Sequence, residues 1–122
     1  MHKVLVIDDE EDFLSLLAIA IERNLENVEV MKTSSSEGAF QGISQFAPDL
    51  IITDLMMPGT SGLEFIARVK EVAPNIPIVA MSGFPSEMAK LQQQQPGIDL
   101  LSKPFPLEKL TEIVTTIFEI RV

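Results

Sequence analysis

The sequence predicts a doubly wound α/β fold, in which helices cover both faces of a five-stranded parallel sheet. The chain has 122 residues, of which 46% are hydrophobic, and this suits one domain of ordinary size spanning residues 1–122. Short apolar runs rich in Val and Ile alternate with segments whose apolar residues recur at helical spacing. Such alternation forms a parallel sheet with right-handed crossovers, and strand order 2-1-3-4-5 is the expected order for a domain of this size.

Five segments are predicted as strands. Continuous apolar runs are typical of strands buried on both faces, and three segments have this form: Val4–Ile7, Leu50–Thr53 and Ile76–Met81. Segments of mixed polarity suit the edges of a sheet, and two have this form: Val28–Lys32 and Ile98–Leu101.

Five segments between and after these strands are predicted as helices. The first covers residues 10–24, with acidic residues in its first turn and an apolar stripe through Phe13, Leu16, Leu17, Ala20 and Ile21. The third begins at a capping-box pattern, Ser61 to Glu64. The second, the fourth and the fifth are predicted at Ser36–Phe46, at Ser86–Gln94 with little apolar surface, and after Pro106.

Charge and residue usage exclude several classes of protein. With 18 acidic against 9 basic residues, the net charge of −9 argues against direct binding to nucleic acid or to an anionic membrane. The chain has no cysteine, and its only histidine, His2, cannot form a zinc site alone. No apolar run reaches the roughly 20 residues of a membrane span or the roughly 7–15 of a signal-peptide core. We therefore expect a cytoplasmic protein.

Polar side chains follow four of the predicted strands. Asp8 and Asp9 follow the first, Asp54 the third, Ser82 the fourth and Lys103 the fifth. In order 2-1-3-4-5 these four strands are neighbours, and such sheets bind ligands outside the carboxyl ends of their strands. Each residue alone has a structural explanation, such as an aspartate that caps a helix or a solvated lysine. Their conjunction predicts one crevice with three carboxylates, a hydroxyl and an ammonium.

Three neighbouring carboxylates need a positive partner. Two unit charges about 4 Å apart repel by roughly 4 kcal/mol at an effective dielectric constant near 20. Lys103 offsets part of this repulsion, and Mg²⁺ is the better candidate because it binds through carboxylate and phosphate oxygens. The sequence lacks both glycine-rich nucleotide motifs, GxGxxG and GxxxxGK[ST]. A carboxylate can attack a phosphoryl group once a metal and a cation neutralise its charge, and Asp54 is the candidate nucleophile.

Four stretches of the sequence resemble the receiver domain of two-component response regulators: Asp8-Asp9, Asp54 to Gly59, Ser82-Gly83 and Lys103-Pro104-Phe105. The resemblance covers nearly the whole chain, in the order and spacing of the motifs. It implies the flavodoxin-like fold. It also implies that Asp54 receives a phosphoryl group from the phosphohistidine of a sensor histidine kinase or a phosphotransfer protein.

The resemblance implies a ligand set for Mg²⁺. Asp9, Asp54 and the backbone carbonyl of Met56 are expected to bind the metal directly, whereas Asp8 is expected to act mainly through water. Met56 and Phe84 take the two family positions that flank the hydrolytic water. Both are apolar, so we expect slow autodephosphorylation.

The resemblance also implies a switch. Lys103 is expected to pair with the acyl phosphate, and its peptide bond to Pro104 is expected to be cis. Ser82 is expected to move toward the phosphoryl oxygens, and residues 85–121, which hold the fourth helix, fifth strand and fifth helix, would then bind a downstream protein. Receivers often carry Tyr or Phe three residues before the lysine. Here that switch position is Leu100, so we predict that activation depends on the loop after the fourth strand and on the fourth helix.

Other functions fit the sequence less well. A magnesium-dependent phosphohydrolase with an aspartyl-phosphate intermediate is the main alternative, but such enzymes generally carry a second carboxylate just after the nucleophile, and residues 55–57 offer none. A flavin carrier is disfavoured by the acidic residues 10–12, and a module that is never phosphorylated by the complete set of acceptor-site residues. We expect a switch that turns over no external substrate, either as a stand-alone receiver or as part of a longer regulator.

Overall fold

A computed structural model describes residues 1–57 and 59–119 of the chain. Pro58 of the predicted acceptor motif and residues 120–122 at the end of the predicted domain and readout face lie outside the described residues. The strands of the main sheet are β1 His2–Ile7, β2 Val28–Thr33, β3 Leu50–Asp54, β4 Ile78–Ser82 and β5 Asp99–Ser102. The helices are α1 Glu11–Asn24, α2 Ser36–Phe46, α3 Gly62–Val72, α4 Pro85–Gln94 and α5 Leu107–Phe118.

The sheet has the predicted topology. Its strands are parallel and lie in the order β2-β1-β3-β4-β5, which confirms the doubly wound, flavodoxin-like fold and the two predicted edge strands. The register pairs Ile7 with Thr53, Asp54 with Met81, and Ser82 with a residue of β5. The carboxyl ends of four strands therefore meet at one edge of the sheet.

The structure contains one element that the sequence did not predict. Met56–Met57 and Thr60–Ser61 form a two-stranded antiparallel ladder in the connection between β3 and α3. Strands of two residues are too short to show a periodic apolar pattern, which explains why the sequence did not predict them. The ladder fixes the chain that follows Asp54.

The core lies on both faces of the sheet. β1 shows the division clearly, because Val4 and Val6 pack toward α1 and α5 whereas Leu5 and Ile7 pack toward α2, α3 and α4. Alternate side chains of a strand point to opposite faces, so a strand covered on both faces must be apolar throughout. The continuous apolar runs of the sequence have this cause.

The predicted apolar stripe of α1 is wrong at one position. Leu16 is 48% exposed, whereas Leu14 and Ala18 are buried together with Leu17 and Ile21. Residues 14, 17, 18 and 21 also follow helical spacing, so the sequence offered two overlapping stripes. Packing against the sheet selects the second.

Among the described residues, no helix has the length and apolarity needed to cross a bilayer.

Candidate functional site

Three carboxylates converge at the carboxyl edge of the sheet, as the sequence predicted. Asp8 and Asp9 directly follow β1, and Asp54 is the last residue of β3. Each offers a carboxylate oxygen that lies within 4.8 Å of the others. Asp8 and Asp54 are buried, with 0% and 6% of their surface exposed, whereas Asp9 is exposed. The cluster therefore has a buried floor and an open rim.

Lys103 bridges the two buried carboxylates. Its Nζ lies 2.9 Å from Asp8 Oδ2 and 3.2 Å from Asp54 Oδ2, so one ammonium donates to both. Its backbone N–H donates to the Ser82 carbonyl oxygen at 2.8 Å, which ties the start of the β5–α5 connection to β4. The peptide bond from Lys103 to Pro104 is cis, as the resemblance implied.

Backbone N–H groups hold the other oxygen of each buried carboxylate. Glu10 N–H donates to Asp8 Oδ1 at 2.9 Å, and Met56 N–H donates to Asp54 Oδ1 at 3.1 Å. Leu55 N–H in turn donates to the Met81 carbonyl oxygen at 2.9 Å. Each buried carboxylate thus has one oxygen on the backbone and one on Lys103, and such charge-assisted bonds fix its orientation.

Burial and pairing shift two pKa values in this pocket. Burial raises the pKa of Asp54 above its ordinary value, against the opposing effects of the Met56 N–H and the Lys103 ammonium. Burial acts to lower the pKa of Lys103, but its hydrogen bond to Asp8 and the negative charges of Asp54 and Asp8 together raise it. Lys103 is therefore an ammonium at neutral pH, whereas the charged form of Asp54 is held at some cost and gains from further positive charge.

The predicted switch residues occupy the two strands beyond Asp54. Ser82 is fully buried, and its hydroxyl accepts from the Phe84 N–H at 2.9 Å and donates to the Phe84 carbonyl at 3.4 Å. Its described hydrogen bonds thus lie within its own loop and not with the carboxylates. Leu100 is half-buried in β5 and packs against the core on the α3 and α4 side. Met56 and Phe84 are 44% and 53% exposed.

The sequence did not reveal the role of Phe13. It was assigned to the apolar stripe of α1, and it does pack beside that core, but its ring also lies beneath Lys103 Nζ at 4.6 Å from the ring centroid. Phe105 contacts the same ring edge-on at 6.1 Å. The only signal in the sequence was an aromatic residue four positions after Asp9.

Gly62 was also missed. A Cβ at this position would overlap the Leu55 carbonyl and lie 2.6 Å from Leu55 Cα, so only glycine allows α3 to approach the chain that follows Asp54. In the sequence, Gly62 is one of the two residues between Ser61 and Glu64 of the capping box, a position that the motif leaves unspecified. Glycine in the first turn of a helix is unfavourable for helix formation, and this was the signal that a close approach requires it.

The pocket suits a hard divalent cation. Three of its residues offer carboxylate oxygens, and Mg²⁺ prefers oxygen ligands and is bound by one or two carboxylates with water and phosphate oxygens completing its shell. The raised pKa of Asp54 has the same implication, because a buried carboxylate gains from a nearby cation. The residues present therefore fit the metal that the sequence predicted.

A parallel α/β sheet with an acidic, lysine-bridged pocket at its carboxyl edge defines a receiver-like α/β domain. The model of the response regulator receiver domain family matches residues 4–115. The chain belongs to this family, whose members act in two-component systems, and the resemblance noted in the sequence is confirmed.

The curated relatives are longer than this chain. The phosphate regulon transcriptional regulatory protein PhoB of Pseudomonas aeruginosa is 34% identical over 110 residues, which cover 88% of this chain and 47% of that protein. The regulatory protein VanR of Enterococcus faecium is 32% identical over 113 residues, covering 91% and 48%. The DNA-binding transcriptional regulator NtrC of a Bradyrhizobium strain is 32% identical over 112 residues, covering 91% and 23%. The chain thus spans less than half of these relatives.

Solved receiver structures match almost the whole chain. The Francisella response regulator 1452 receiver domain has a TM-score of 0.84 at 25% identity, with 98% of both chains covered. The response regulator TrrA of Thermotoga maritima, solved in complex with Mg²⁺-BeF, has a TM-score of 0.83 at 26% identity, with 96% of this chain and 99% of that chain covered.

Proposed function

We propose that residues 1–122 form the phospho-acceptor receiver of a two-component phosphorelay, with Asp54 as the acceptor. The observation that carries this proposal is the placement of Asp54: a buried carboxylate at the end of the central strand, bonded to Lys103 and grouped with two further carboxylates. A carboxylate oxygen of Asp54 would attack phosphorus, and the bond from phosphorus to the imidazole nitrogen of the donor histidine would break. The imidazole would leave, and the product is an aspartyl phosphate.

The carboxylate cluster supports the proposed metal ligands. Asp9, Asp54 and the Met56 backbone carbonyl would hold Mg²⁺, and its charge would offset that of the incoming phosphoryl group. Asp8 keeps the water-mediated role that the resemblance implies, and it is the most deeply buried of the three carboxylates, with 0% of its surface exposed. The Thermotoga relative, solved in complex with Mg²⁺-BeF, supports Mg²⁺ as the metal.

Lys103 and Ser82 would respond to the phosphoryl group. The ammonium is within reach of Asp54 and can transfer its bond from the carboxylate to a phosphoryl oxygen. The Ser82 hydroxyl would exchange its weak 3.4 Å bond to the Phe84 carbonyl for a phosphoryl oxygen, which would draw the β4–α4 loop inward. The α4–β5–α5 surface would then present a changed face to a downstream protein, while Leu100 supplies no aromatic rotamer change.

The residues after Asp54 favour a switch over an enzyme with an external substrate. Leu55 and Met57 are buried and apolar, and Met56 contributes its backbone N–H. No carboxylate follows the acceptor closely enough to serve as the general acid of a phosphohydrolase. The domain would catalyse its own phosphorylation and release phosphate slowly.

Incubation with Mg²⁺ and acetyl phosphate tests the proposal. Intact-mass measurement is expected to show one added phosphoryl group on the native chain, none on Asp54→Asn, and none when the metal is chelated. Asp99→Asn, which removes an exposed carboxyl at the start of β5, is the matched control and is expected to react like the native chain. Native labelling of Asp54→Asn would overturn the assignment. Repeated turnover of a phosphomonoester would support the phosphohydrolase instead.

The switch has its own test. Hydrogen exchange with and without beryllofluoride and Mg²⁺ is expected to change in α4 and in the loop before it. A crystal structure of the same complex is expected to keep Leu100 in its present packing against the core. A large inward shift of Leu100 would contradict the predicted dependence on the loop and α4.

A further inference from the structure

The Lys103 ammonium has an aromatic neighbour as well as its two carboxylates. Phe13 lies in the first turns of α1, and its ring centroid is 4.6 Å from Lys103 Nζ. This is inside the roughly 6 Å over which a ring face attracts a cation. The ammonium therefore has Asp8, Asp54 and the Phe13 ring as its described neighbours.

Lysine needs such a constraint more than arginine would. Its ammonium is a compact, strongly hydrated charge on a flexible four-carbon stem, so water competes for it. The Lys103 side chain is 22% exposed, so water can reach part of it. An aromatic face beside the ammonium excludes water there without providing a competing acceptor, and so leaves the hydrogen bonds for the carboxylates.

We propose that Phe13 is a positioning residue for Lys103, whose ring holds the ammonium in the pocket beside Asp54. The Phe13 ring is itself fixed by the edge-on contact with Phe105, two residues after Lys103 in the chain. Phe13 thus links α1 to the connection that carries the lysine. The consequence for phosphoryl transfer rests on the proposed function, whereas the effect on the ammonium does not.

A plain packing role makes different predictions. Phe13 is half-buried and packs beside the core of the α1 and α5 face, so leucine would fill much of its space without a π face. Tyrosine would keep the ring and its attraction for a cation. Phe13→Leu and Phe13→Tyr therefore separate cation binding from packing.

The other face of the sheet offers a matched control. Arg68 lies over the Phe40 ring at 4.5 Å from its centroid, and Phe65 contacts that ring edge-on at 5.3 Å. This is also a cation over a phenylalanine ring with a second ring edge-on to it, but it packs on the opposite core. Phe40→Leu therefore removes a comparable ring without touching the pocket.

The first measurement is the ¹H–¹⁵N signal of the Lys103 ammonium in metal-free protein, assigned by its loss in Lys103→Met. An ammonium held in ion pairs exchanges its protons slowly and gives a visible signal. We expect this signal to broaden beyond detection in Phe13→Leu and to persist in Phe13→Tyr and Phe40→Leu. Circular dichroism and thermal unfolding establish that each variant is folded.

The second measurement is the rate of phosphorylation by acetyl phosphate with Mg²⁺. Phe13→Leu is expected to react about threefold to thirtyfold more slowly, the rate equivalent of a cation–π contact of ordinary strength, and Phe13→Tyr within about twofold of native. A native ammonium signal in Phe13→Leu would overturn the inference, and so would equal losses in the Leu and Tyr variants. If the native chain accepts no phosphoryl group, the proposed function fails and the ammonium signal alone decides the role of Phe13.

Discussion

The two walls of the pocket are anchored very differently. On the α1 side, Asp8 is fully buried and bonded to Lys103 and to a backbone N–H, and α1 buries five side chains: Leu14, Leu17, Ala18, Ala20 and Ile21. On the α4 side, the described hydrogen bonds of the Ser82 hydroxyl are to the Phe84 backbone alone, and the ten residues of α4, all of which the structure describes, bury Leu91 alone.

This difference in burial indicates separate roles for the α1 side and the α4 side of the pocket. Apolar burial supplies most of the free energy that holds a helix on a sheet, so α4 has far less of it than α1. A segment with little burial opens locally at low cost, and a ligand can shift its position with modest binding energy. The pocket thus combines a firmly held set of acidic side chains with a neighbouring helix that can move.

Truncating one buried leucine on each wall is expected to have the largest effect. Leu17→Ala should lower the global free energy of unfolding by about 2–5 kcal/mol, because Leu17 lies fully buried in the core. Leu91→Ala should release α4 locally, since Leu91 is its only buried side chain. Urea unfolding and hydrogen exchange measure the two effects.

The exchange pattern distinguishes the walls. In Leu91→Ala, amide protection is expected to fall in α4 and to stay close to native in α1. In Leu17→Ala, protection should fall in every element that opens by global unfolding. Equal loss of protection in α1 and α4 in the Leu91 variant would show that α4 is not a separate unit.

The same substitution at two glycines compares a close backbone contact beside the pocket with an open position away from it. Gly62→Ala would force a shift at Leu55, next to Asp54, and we expect it to weaken Mg²⁺ binding by about tenfold, or roughly 1.4 kcal/mol. Overpacking at a backbone contact is also expected to cost about 1–3 kcal/mol of stability. Isothermal titration with Mg²⁺ measures the first effect.

Gly97→Ala is the control for this pair. Gly97 lies in the connection between α4 and β5, and a Cβ there would meet no atom within 4 Å. The Gly97→Ala variant is expected to bind Mg²⁺ with the affinity of the native chain. Native Mg²⁺ affinity in folded Gly62→Ala would show that the close approach stabilises the fold without setting the geometry of the pocket.

Two exposed apolar side chains are expected to slow hydrolysis of the aspartyl phosphate. Met56 follows the acceptor and Phe84 follows Ser82. Met56→Asn and Phe84→Glu would each provide a polar group for the attacking water, and the double variant is expected to lose its label about tenfold faster, equivalent to about 1.4 kcal/mol. Intact mass against time after removal of acetyl phosphate gives the rate. An unchanged rate would show that these two side chains do not slow hydrolysis.

The smallest effect expected is a pH dependence of stability that arises from Asp54. Burial raises the pKa of Asp54 in the folded state, so the folded protein binds more protons than the unfolded chain in the range just above the ordinary aspartate value. Stability should therefore fall as pH rises through that range, and Asp54→Asn should be the more stable protein at neutral pH without metal. Urea unfolding from pH 7 down to pH 3 measures this, and the advantage of the variant should disappear at the acidic end. A native chain that is more stable than Asp54→Asn at pH 7 would contradict the sign.

Hydrophobic patterning, together with the capping box before α3 and Pro106 before α5, predicted the main sheet and the five helices, because strands covered on both faces must be continuously apolar. It could not predict the two-residue ladder after Asp54, nor choose between the two overlapping stripes of α1. Leu14 and Leu16 are both leucines on one helix, and only packing against the sheet determines which is buried. Choices of this kind depend on the tertiary structure.

The pocket was predictable for a different reason. Parallel strands bring their carboxyl ends to one edge, so Asp8, Asp54 and Lys103 were placed together from their positions after strands. Phe13 and Gly62 were not, because their roles depend on approaches between chain segments far apart in the sequence or between backbones. A residue that acts through another side chain has no motif of its own.

Chemical identification of the phosphorylated residue is the strongest test of Asp54 as the acceptor. Sodium borohydride reduces an aspartyl phosphate to homoserine, so the chain is phosphorylated with acetyl phosphate and Mg²⁺, reduced, digested and sequenced by mass spectrometry. Homoserine is expected at position 54, with positions 8 and 9 remaining aspartate. Homoserine at position 8 or 9, or its absence from a chain shown to carry the label, would contradict the assignment of Asp54.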